Sequence, residues 1–71
     1  MDSFQAREGI GFKLKKARSK KKLTQAQVAE KAGINTNYYA CIERGEVNVS
    51  TEKLLKIVKV LGVKSSEVLP F

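Results

Sequence analysis

The chain has 71 residues, 42% of them hydrophobic and 30% charged, with fourteen Lys and Arg against seven Asp and Glu and a formal charge of +7. That length allows one small domain whose core is close to the minimum for independent folding, so self-association is a natural further source of stability. One cysteine and no histidine exclude an internal disulfide and leave no plausible zinc site. No stretch suits a membrane span or a signal-peptide core, and no phosphate-binding glycine loop or nucleophile–base pair is visible. These features argue against an enzyme, a cofactor, a metal or a membrane partner. They suit the reducing cytoplasm. The sequence pI of about 9.8 points to a polyanionic partner. Residues 1–35 hold nine basic residues against three acidic, and residues 36–71 hold five against four. The excess is therefore concentrated in the first half.

In chain order, residues 1–8 carry no clear pattern and read as a loose arm before a single domain over 9–71. A first helix is expected from about Gly9 to Lys21, turned inward by Ile10, Leu14 and Ala17. Lys13, Lys15, Lys16, Arg18, Lys20, Lys21 and Lys22 follow one another without an acid. They form either a solvated helix face or a rim facing phosphates. Leu23 sits just before Thr24, placed as a hydrophobic staple. Thr24 and Gln27 have the spacing of a capping box. Val28, Ala29 and Ala32 make one apolar stripe over two turns, and Gly33 ends that helix. Asn35 caps the next helix, with Tyr39 and Ile42 buried and Gly45 closing it. Ala29 is small enough for two short helices to cross closely. Residues 24–44 thus have the pattern of a helix-turn-helix, whose second helix enters the DNA major groove.

The valines of Gly45-Glu46-Val47-Asn48-Val49 can pin the following loop to the core. Ser50 caps a fourth helix, with Glu52 in its first turn. Leu54, Ile57, Val58 and Leu61 point inward, Lys53, Lys56 and Lys59 outward, and Gly62 ends it. A fifth short helix is expected over Ser65 to Leu69, before Pro70. No segment calls for a strand, so the fold class is all-α.

Leu23-Thr24-Gln25 with Val28-Ala29, Ile42-Glu43-Arg44-Gly45, and Leu61-Gly62-Val63 resemble the hallmarks of the lambda-repressor-like, Cro/cI (XRE) family. The likeness runs from about Ile10 to Leu69 and implies five helices, with the second and third as the helix-turn-helix. The Ile-Glu-Arg-Gly run with Asn48 and Ser50 also looks like the small controller proteins of restriction-modification systems. By this resemblance Gln25 contacts a DNA phosphate, in keeping with the anion affinity of helix N-termini. Arg18 pairs with Glu43, the alternative being an exposed, unpaired Arg18. The resemblance assigns base reading to Thr36, Asn37, Ala40 and Cys41. Asn37 is the best of these, since an amide can bind adenine N6 and N7 together. Asn35, Tyr38, Arg44, Lys20, Lys21 and Lys22 are implied as further phosphate contacts, capping being the main task of Asn35. Two residues depart from the family pattern. Cys41 has little reach, and either lies over a thymine methyl or fills space beside Ile42. Tyr39 replaces an aliphatic residue and is expected in the core, with its hydroxyl reaching an edge.

The function so implied is a transcription regulator, repressor or activator, binding a palindromic operator on double-stranded DNA as a homodimer. A chain of this length is expected to dimerise through the helical domain itself, by Leu55, Val68, Leu69 and Phe71. An activator would also need a surface for RNA polymerase, for which Glu46 or the lysine-rich fourth helix could serve. The competing reading is a partner-binding module, such as an antitoxin with autoregulatory DNA binding. It calls for an extra segment to cover the partner, which is not seen after the fifth helix. A basic amphipathic helix on a membrane needs aromatic residues beside the lysines, and residues 10–22 hold only Phe12.

Overall fold

The computed structural model describes residues 3–68, the side chains of Ser3 and Phe4 excepted. Four α-helices follow one another: α1 (Ser3–Lys20), α2 (Gln25–Ala32), α3 (Thr36–Glu43) and α4 (Thr51–Leu61). The described residues contain no strand. The expected fifth helix is a single 3₁₀ turn, Ser65–Glu67. Only two residues separate it from Gly62, whose left-handed backbone ends α4, and an α-helix of one turn has little cooperativity to sustain it. Leu69, Pro70 and Phe71 lie outside the described residues. No helix among those described is long and apolar enough to cross a membrane.

The larger correction is at the N-terminus. α1 begins at Ser3, so residues 3–8 are helical and not a loose arm. The reason lies in packing. Ala6 stands one turn before Ile10, and both face Ile42, Val47 and Val49 around a cavity of about 130 Å³. The apolar stripe of α1 therefore extends a turn earlier than its larger side chains suggest. Arg7 fastens this turn to the far side of the domain: its Nε donates to the Gly45 carbonyl at 3.1 Å and its Nη1 to Asn48 Oδ1 at 3.4 Å.

Leu14, Val28, Ala29, Tyr39, Ile42, Ile57, Leu61 and Val68 form the centre of the core. α2 packs on both α3 and α4, while α1 packs on α3 and, over a smaller area, on α4. Val68, expected at a dimer interface, is 2% exposed and closes the core of its own chain. The burial follows from the 3₁₀ turn, which brings the chain back across Leu61.

α1 and α3 approach closely at Gly11. A Cβ there would collide with the carbonyl oxygens of Ile42 and Glu43, so this crossing requires a residue without a side chain. Gly11→Ala should destabilise the domain by about 2 kcal/mol, the typical cost of overpacking. The intrinsic preference of a helix for alanine, worth about 1 kcal/mol, is too small to prevent this. Urea unfolding of the two proteins measures the difference.

Candidate nucleic-acid interface

Local hydrogen bonds set the geometry of α2 and α3. Thr24 Oγ1 accepts from the Gln27 amide at 3.1 Å, and Gln27 Oε1 accepts from the Thr24 amide at 2.8 Å. This reciprocal pair satisfies two backbone donors and fixes where α2 starts. Gly33, at φ 72°, turns the chain out of α2. The Ile34 amide then donates back to the Ala29 carbonyl at 2.9 Å. At the next residue, Asn35 Oδ1 accepts from the Tyr38 amide at 3.1 Å, which starts α3. The turn between the helices is thus closed by backbone and capping bonds at both ends.

Tertiary contacts fix the other end of α3. Arg18 Nε donates to Glu43 Oε2 at 2.7 Å, and Nη2 donates to Oε1 at 3.2 Å. Arg18 Nη1 donates to the Leu23 carbonyl at 2.9 Å. Gln25 Nε2 donates to Glu43 Oε1 at 3.0 Å. The Glu43 side chain is only 2% exposed, so one buried carboxylate joins the end of α1, the first residue of α2 and the end of α3. Burial by itself would raise the Glu43 pKa. The hydrogen bonds from Arg18 and Gln25 outweigh it and hold the carboxyl below its usual range. Glu43 in turn raises the Arg18 pKa further. Sequence reasoning paired Arg18 with Glu43 but missed that Gln25 joins them. Its position at the start of α2, opposite the end of α3, was the available signal.

Tyr39 lies next to this network. Its hydroxyl is buried and makes no hydrogen bond, so it does not reach an edge. The ring lies wholly in the core, and burial drives the phenol pKa far above its ordinary value.

Thr36 and Asn37 are exposed at the start of α3, on a face free to meet another molecule. Ala40 is 9% exposed and belongs to the packed side of the helix. It stands about 60° around the helix from Glu43 and about 100° from Tyr39, and offers only a methyl group to the base edge expected of it. Cys41 is half-buried. Arg44, just past the end of α3, forms an ion pair with Glu46 at 2.8 Å, and its Nη2 lies 3.4 Å from Cys41 Sγ. Tyr38 is half-buried, with Lys53 Nζ 4.7 Å from its ring centre. This cation–π contact links α3 to the first turn of α4.

The lysine run does not form one rim. Lys13, Lys16, Lys20 and Lys21 line a groove of about 520 Å³ whose floor is Ala17, Leu61, Val63 and Val68. At 100° per residue, Lys13, Lys16 and Lys20 stand on the side of α1 away from Arg18 and Gly11, which face α3. The Lys21 ammonium lies beside Gly62, at the electronegative end of α4. Lys22 is exposed, with a left-handed backbone at φ 58°, in the turn that leads into α2. Helix periodicity alone separates Lys20 from Arg18, but the groove depends on where α4 and the 3₁₀ turn are packed.

Comparison with known proteins agrees with this architecture. Residues 14–68 match the family model described as helix-turn-helix. The chain is 39% identical over 59 residues to the immunity repressor protein of Bacillus phage phi105, covering 83% of this chain and 41% of that protein. It is 37% identical over 63 residues to the control protein C.BamHI of Bacillus amyloliquefaciens, covering 87% of this chain and 78% of the relative. The structure superposes on the restriction-modification controller protein C.AhdI from Aeromonas hydrophila with a TM-score of 0.85 at 30% identity, over 89% of this chain and 96% of that one. The chain belongs to the helix-turn-helix family. It spans about two fifths of the length of the phage repressor and most of the length of the control protein.

The buried carboxylate makes stability depend on pH. Its pKa is lower in the folded chain than in the unfolded one, so its contribution is complete above the unfolded value near 4.5. It is lost as pH falls through the folded value. Glu43→Gln should cost about 3 kcal/mol at pH 7, as expected when one partner of a buried pair is removed. The gap from wild type should begin to narrow as pH falls below about 4.5 and should close only at the lower pH where the folded carboxyl is itself protonated. Thermal unfolding of both proteins from pH 7 down to pH 3 measures it.

Proposed function

We propose that this protein regulates transcription in the cytoplasm by binding a short palindromic DNA operator as a homodimer, with α3 in the major groove. One observation carries the reading. The Glu43 network ties the start of α2 to the end of α3, and α3 presents Thr36 and Asn37 to solvent at its other end. Asn37 reads a base, its amide matching the adjacent acceptor and donor of adenine. Thr36 offers a hydroxyl or a methyl to a neighbouring base. Gln25, with one amide proton on Glu43 and the other free, directs the N-terminus of α2 at a phosphate. Lys22, which does not line the α1–α4 groove, is the lysine best placed to add a second phosphate contact beside it.

A single recognition helix reads only a few base pairs, too few to find one operator among the sites of a genome. Two copies related by a twofold axis would present two such helices about 34 Å apart, one turn of DNA. Leu55, 51% exposed on α4, supports self-association through that helix; Leu69 and Phe71 remain proposed partners in the same interface.

Asn37→Ala should weaken operator binding by about 1–3 kcal/mol per half-site and leave binding to scrambled DNA unchanged. Lys22→Ala should weaken both equally and reduce the slope of log affinity against log salt by about 1. Mobility-shift titrations on the two duplexes at several salt concentrations separate these outcomes. Equal losses for Asn37→Ala on both duplexes would remove it from base reading.

Sedimentation at micromolar concentration tests the assembly. Wild type is expected to sediment as a dimer and Leu55→Glu as a folded monomer that occupies half-sites independently. A monomeric wild type that binds only single half-sites would rule out the homodimer.

A further inference from the structure

We propose that Arg44 reads a guanine in the major groove and that Glu46 is the positioning residue that makes it specific. The proposal rests on the reading of α3 as the recognition helix. Arg44 follows Asn37 by seven residues and Cys41 by three, so the three share one side of α3. Its backbone at φ −84° and ψ −4° continues the helical path. Arg44 therefore stands about 10 Å along the axis from Asn37, close to three base-pair steps away.

The arrangement of the guanidinium favours a base over a phosphate. Glu46 accepts from Nε at 2.8 Å and from Nη2 at 3.2 Å, which occupies the side edge of the fork. The end edge, formed by Nη1 and the second proton of Nη2, is the pair of donors that matches guanine O6 and N7. In the free protein that Nη2 lies 3.4 Å from Cys41 Sγ. Sulfur is a weak acceptor that a guanine oxygen readily replaces. Cys41 is too short to reach a base itself, and its small side chain leaves room for the guanidinium to lie across it.

A phosphate contact would gain little from this pair. With Glu46 bound, Arg44 brings no net charge, and the carboxylate would be pressed towards the backbone of the DNA. A base edge instead requires donors held in a fixed direction, which a two-point ion pair supplies. The Glu46 amide donates to the Cys41 carbonyl at 3.0 Å, so the backbone that carries this carboxylate is tied to the end of α3.

Selection of binding sites from a randomised duplex pool tests this, using wild type, Glu46→Gln and Arg44→Ala. Wild type should enrich guanine at one position in each half-site, about tenfold to a hundredfold over other bases. That position should lie about three base pairs from the one governed by Asn37. Both variants should lose this preference and keep the others. Both should unfold at the wild-type temperature, since the pair is about half exposed and surface pairs contribute little to stability. If Glu46→Gln binds every sequence more tightly with its base preferences intact, Glu46 is only a repulsive charge near the DNA and the proposal is overturned. A wild type that enriches no sequence at all would overturn the recognition-helix reading itself, and the assignment of Arg44 with it.

Discussion

The Glu43 carboxylate governs how the three helices nearest the candidate interface sit together. It is removed from water, and an ion in that position is tolerated only when it is paired and hydrogen-bonded. Arg18 and Gln25 supply those bonds from α1 and α2. Each partner therefore has one favourable place, and the end of α3 cannot rotate without leaving a buried charge unsatisfied. An apolar contact of the same size would hold the helices together with much less directional demand. The carboxylate sets direction, and direction is what the proposed fit of α3 into a groove requires.

Two close approaches complete that constraint. Gly11 lets α1 lie against the carbonyls of Ile42 and Glu43, which puts Arg18, two turns later on the same side of α1, within reach of the carboxylate. Arg7, another turn earlier, holds Gly45 and Asn48. One face of α1 thus contacts α3 and the loop after it from end to end. The opposite face carries lysines and borders the groove beside α4. α1 is in this sense a brace: it touches α3 along its inner side and leaves Thr36 and Asn37 uncovered at the far end.

The exposed side of α3 is graded in polarity. At its start are side chains with hydrogen-bonding groups and no charge. At its end Arg44 is neutralised by Glu46. The net charge of the domain lies elsewhere, mostly on α1 and in the turn that follows it. A surface built this way separates two tasks. Under the proposed function, distributed lysines would attract any nucleic acid at long range, while α3 would contact it with directional groups that distinguish one base from another.

Local signals in the sequence were enough to determine much of this. The caps at Thr24, Asn35 and Ser50 and the glycines at 33 and 62 act within one turn of the chain, so their geometry follows from spacing alone. The same holds for the apolar stripes of α2 and α4. Other features required the tertiary structure. The first turn of α1 is helical because Ala6 and Ile10 meet a loop some forty residues away, and Val68 is buried because the chain folds back over Leu61. Ala40 is 9% exposed because α3 turns that side towards the domain. Gln25 joins Arg18 on Glu43, and Arg44 meets Glu46 and Cys41, through side-chain placements that spacing does not specify. Helical periodicity tells which residues share a face, but only packing decides what that face meets.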